Sequence, residues 1–78
     1  MNKYQRERLN VLQQDLEVVL ADLDESLIDA QVHYGHMTDV AKNSTKGKKA
    51  KSRVESLDHA HYFVKLATGA IKKVLENK

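Results

Sequence analysis

A chain of 78 residues and 8.9 kDa is one small domain at most. At this size folding hides only about 60% of the unfolded surface, so a lone monomer is marginal. The absence of cysteine excludes disulfides, thiolate metal sites and thiol nucleophiles together, and the net charge of +2 is too small to impose a partner by itself.

The first element reads as a long helix over about residues 3–42. Asn2 is placed to cap it, with Gln5 in the reciprocal position three residues on. Apolar or small side chains then recur at Leu9, Leu12, Leu16, Leu20, Leu23, Leu27, Ala30, Tyr34, Met37 and Ala41. These steps of three and four make a heptad seam with one stutter between Leu16 and Leu20. Unbroken, the helix would span roughly 60 Å at 1.5 Å per residue. Gly35 costs about 1 kcal/mol relative to alanine there, which allows a bend or break between His33 and Thr38.

Residues 43–49 hold no apolar side chain, and 43–51 reads as a basic loop. A second helix is expected over about 53–76, opened by the capping box Ser52–Glu55. It carries two neighbouring seams. One runs Val54, Leu57, His61, Val64, Thr68, Ile71, Leu75; the other runs Ala60, Phe63, Ala67, Ala70, Val74. Two stripes are too wide for one partner helix, and the first helix has off-seam apolar residues of its own at Val11, Val18, Val19, Ile28 and Val32. The expected fold is therefore all-α, a single domain over 1–78: an antiparallel hairpin that assembles into a homo-oligomeric helical bundle. The longer first helix would leave an apolar overhang around Tyr4, Leu9, Val11 and Leu12. The alternative is a three-helix fold, broken at Gly35, with Thr38–Lys42 folding back.

Charge is segregated along the chain. Residues 1–41 carry three basic and eight acidic side chains, whereas 42–53 carry six basic and no acidic ones. The six are Lys42, Lys46, Lys48, Lys49, Lys51 and Arg53, and such an unopposed cationic tip suits phosphates. No aromatic side chain interleaves them to stack bases, and Gly47 lies in no phosphate-loop motif. The acids Asp15, Glu17, Asp22, Asp24, Glu25 and Asp29 lack calcium-loop spacing and read as an exposed face for a basic partner. His33, His36, His59 and His61 would lie level across a hairpin turning near residue 47. They read as a polar layer that fixes register, with no metal and no catalysis assigned to them.

These features point to a non-enzymatic interaction protein without a cofactor. Its expected partners are itself and a protein, in the manner of a small phage or mobile-element regulator or inhibitor that binds a host complex. A nucleic acid or phosphate-bearing ligand at the basic loop is the second reading. The longest apolar run, Val18–Leu20, is far short of the ~20 residues of a membrane span. Met1–Arg6 lacks a signal-peptide core, so a cytoplasmic location without membrane contact is expected.

Overall fold

The computed structural model describes residues 1–77, and in them the chain forms three helices and no strand: α1 (Lys3–Gly35), α2 (Asp39–Lys42) and α3 (Thr45–Glu76). α1 and α3 lie antiparallel along each other, and the four-residue α2 fills the turn between them. The result is a rod of 58 × 15 × 14 Å. Its radius of gyration is 17.5 Å, against about 11–12 Å for a compact globule of this length.

α1 begins as the sequence predicts. The Asn2 side chain accepts from the Gln5 backbone N–H at 2.8 Å, and the Asn2 N–H donates to Gln5 Oε1 at 3.1 Å. Its end falls short of residue 42: α1 stops at Gly35, within the window where the glycine allows a break, and a separate short helix follows as in the alternative reading. Two backbone donors close its last turn, His36 N–H to Val32 O and Met37 N–H to Tyr34 O, each at 3.1 Å. Thr38 then takes extended backbone and caps α2, its hydroxyl accepting from the Ala41 N–H at 3.1 Å. A threonine that can satisfy the next helical turn from outside gives the chain a place to break after a poor helix former.

The basic loop over 43–51 is also corrected. Ser44 caps α3 by accepting from the Gly47 N–H at 3.3 Å, so the helix starts at Thr45 and runs straight through Ser52 and Glu55. The Ser52–Glu55 box opens nothing. Lysine and alanine at 48–51 are good helix formers, and once Ser44 has capped the first turn nothing in that stretch interrupts it.

The seam is read directly from burial. On α1 the half-buried positions are Arg6, Leu9, Gln13, Leu16, Leu20, Leu23, Ala30 and Tyr34, with Leu27 buried among them. On α3 they are Ala50, Val54, Leu57, His61, Val64, Thr68, Ile71 and Leu75, with Gly47 buried and Ala60 at the margin. Both series alternate steps of three and four without a stutter, as two helices coiling on each other require. Gln13, and not Leu12, therefore occupies the first helix's seam. Thr68 keeps its place in the seam by donating its hydroxyl to Val64 O at 2.9 Å. The first of the two sequence-predicted seams of α3 is the one that meets α1; the second faces outward.

There is no overhang. α1 and α3 have 33 and 32 residues, and Arg6 Nη1 donates to Leu75 O at 2.7 Å, which ties the start of α1 to the end of α3. That hydrogen bond and the pairing of Asp24 with His61 set Leu9 against Leu75, Leu23 against His61 and Leu27 against Leu57. Near the turn small residues enter the seam: Ala30 opposite Val54, Ala50 opposite Tyr34, and Gly47. They let the helices close on α2, where Gly47 sits against the Ala41 and Lys42 carbonyls.

Candidate functional site

The basic end is built by the first turns of α3. Lys46, Lys49 and Arg53 follow at helical spacing along one side of it, while Lys48 and Lys51 project from another. All five are exposed. Lys42 differs: it is half-buried, with its ammonium 5.0 Å from the centre of the Tyr34 ring. The cations thus stand on a capped helix, where the sequence suggested a flexible loop.

The acidic residues do not form one face. Asp15, Asp22 and Asp29 recur every seven residues along one side of α1, and Glu17 and Asp24 along the other, with Glu25 on its back. All six are exposed. Asp24 Oδ1 stands 3.5 Å from His61 Nε2, the one ion pair among the described residues when the imidazole is protonated. The remaining five have no salt-bridge partner among the described residues.

The four histidines are not brought to one level. The hairpin turns about α2, centred near Lys42 and not near residue 47, which slides α3 along α1. His33 borders a groove with Asp29 and Arg53 near the turn, whereas His61 lies farther down the rod against Asp24. His61 does hold the polar seam position expected of it; His33, His36 and His59 are exposed. Among the described residues no group of three or more histidine, aspartate or glutamate side chains is placed to hold a metal ion.

The members of the supposed overhang separate as well. Leu9 is half-buried in the seam; Tyr4 and Val11 point outward at 66% and 56% exposure; Leu12 flanks the seam at 47%. Arg8 lies 5.9 Å from the Tyr4 ring centre and borders an open apolar groove with Tyr4, Val11 and Leu12.

What the sequence reading missed is the difference between the two flanks of the rod. One flank carries Glu17, Asp24, Lys51, Asp58, Lys65 and Lys72 on either side of the seam, and it is charged. The other carries, over the half away from the turn, Leu12 and Val19 from α1 with Ala60, Ala67 and Val74 from α3, bordered by Phe63 and Ala70, and gives way toward the turn to Ser26, His33 and Arg53. The signal was present in Gln13, whose steps from Leu9 and to Leu16 continue the heptad and displace Leu12 to the side.

Comparison with protein-family models, with curated proteins and with solved structures returns no match. No helix among the described residues is long and apolar enough to cross a membrane.

Proposed function

We propose that this chain is a non-enzymatic helical interaction protein that works as a homo-oligomer and engages a further protein through its charged outer faces. One observation carries the reading. Among the described residues the hairpin buries a single hydrophobic side chain, Leu27, while thirteen large hydrophobic residues remain at least 44% exposed. A seam of this kind orders two helices but leaves too little apolar surface hidden to offset the entropy of ordering them. The role such a module suits is that of a small regulator or inhibitor, of phage or mobile-element type, docked on a host protein complex. Sedimentation equilibrium over the micromolar range, with helicity followed across the same concentrations, is the test. Mass action predicts that mass and helicity rise together. A fully helical monomer at every concentration would refute the reading.

A second reading, a phosphate-bearing partner, draws on the basic end. Lys46, Lys48, Lys49, Lys51 and Arg53 are exposed and have no salt-bridge partner among the described residues. Anion contact there would be lost when these cations are neutralised, whereas docking through the acidic sides of α1 would survive their neutralisation.

A further inference from the structure

We infer that the apolar flank formed by Leu12, Val19, Ala60, Phe63, Ala67 and Val74 is where a second copy of this chain docks, side by side and in the same direction. The inference rests on the homo-oligomer reading and adds the face and the orientation. The area comes first. The chain exposes 6192 Å², whereas a compact protein of 8.9 kDa exposes about 4,800 Å², leaving an excess of roughly 1,400 Å². A stable interface takes about 800 Å² from each partner, so one docked flank fits within that excess.

The flank is also a better docking surface than the back of α3, where Lys65 and Lys73 border the groove of Tyr62, Leu66, Gly69 and Ala70, or the back of α1. The back of α1 presents Tyr4, Val11, Val18, Ile28 and Val32, but Glu7, Gln14 and Glu25 interrupt that stripe. The flank draws on both helices and runs without a charge from Val74 to Ala60 on α3. Leu12, Val19 and Val74 are 47%, 44% and 48% exposed, already partly covered by the seam, so a second hairpin laid there extends an existing core. The opposite flank is charged, as the solvent side of a four-helix bundle should be.

Charge selects the direction. With both copies pointing the same way, each α1 lies against the partner's α3 and every neighbouring pair of helices is antiparallel. The row Asp15, Asp22 and Asp29 then meets the partner's α3, which carries no row of acids on this side and sets Arg53 about level with Asp29. Turned end for end, α1 would meet α1 and bring the two aspartate rows together. The same-direction arrangement does gather both basic ends at one end of the bundle. They are exposed there and screened within about 8 Å at physiological salt.

The absence of native cysteine makes the test clean. An equal mixture of Val19→Cys and Ala67→Cys chains, oxidised gently, should give mainly the mixed covalent dimer. Phe63→Ala should weaken the dimer about 10- to 100-fold, as truncation of an aromatic covered by the partner does, while Val18→Ala on the back of α1 leaves it unchanged. Dimers in which each variant links only to itself would overturn the direction. Association that Val18→Ala abolishes and Phe63→Ala spares would overturn the flank yet leave self-association standing. A wild-type chain that stays monomeric would remove both.

Discussion

Glycine shows how differently one residue type can serve in the same rod. Gly47 is buried where α3 begins, and a Cβ there would drive into the Ala41 and Lys42 carbonyls, which belong to backbone and cannot swing away. Its φ is negative, so the requirement is for space and not for an unusual conformation. Gly69, in the middle of α3, has nothing within 4 Å of the place a Cβ would take. The two therefore respond to alanine with opposite signs. Gly69→Ala should stabilise by about 0.5–1 kcal/mol through helix propensity alone. Gly47→Ala gains the same propensity but meets an overpacking cost of about 1–3 kcal/mol, and should be a net loss. Thermal unfolding at one fixed protein concentration reads both, at about 4–8 °C for each kcal/mol. A rise in Tm for Gly47→Ala would mean that α2 does not pack on α3 as described.

At the scale of elements, the helices and their outer ends were legible and the start of α3 at the turn was not. The Asn2–Gln5 cap and the seam from Val54 to Leu75 could be read because each rests on local spacing, and the structure keeps both. The turn could not, because two signals competed there. Ser52 with Glu55 has the form of a helix start, while Ser44 has only Gly47 at the third position. Ser44 prevails because Gly47 and Ala50 are small enough to continue the seam where the helices converge, a tertiary gain invisible to a search for large apolar residues. The site followed the same pattern. The cations and acids were counted correctly from sequence, but their grouping failed with the register: a shift in the turn separated the histidines, and the helical period split the acids between two sides of α1. Ser44→Ala should accordingly cost about 1 kcal/mol, the usual loss on removing an N-cap. Ser52→Ala, within a continuous helix, should be neutral or slightly stabilising. Denaturant midpoints in urea would show the contrast; the reverse order would restore the helix start to Ser52.

For the whole molecule, the net charge of +2 conceals a rod with cations at both ends and acids along the middle of one helix. At the far end Arg6 is held by the Leu75 carbonyl and Arg8 lies at the Tyr4 ring, and at the turn end Lys42 lies at the Tyr34 ring. Lys46, Lys48, Lys49 and Lys51 radiate together from the first two turns of α3 without a carboxylate in salt-bridge range among the described residues. Changing these four to glutamine removes the charge and keeps nearly the same helix propensity, so helicity and oligomeric mass should be unaltered. Serine would be the poorer choice, since α3 already runs through these positions and serine weakens a helix interior. If the basic end holds phosphates, wild-type binding to a labelled oligonucleotide should fall steeply with salt, and the quadruple variant should bind weakly with a flatter dependence. Each phosphate no longer neutralised lowers the log–log slope by about 0.9 on duplex DNA and 0.7 on a single strand, so four of them lower it by roughly three. An unchanged slope would make the lysines a solvated end that keeps the rod apart from its neighbours. Docking of the partner would then fall to the acidic sides of α1.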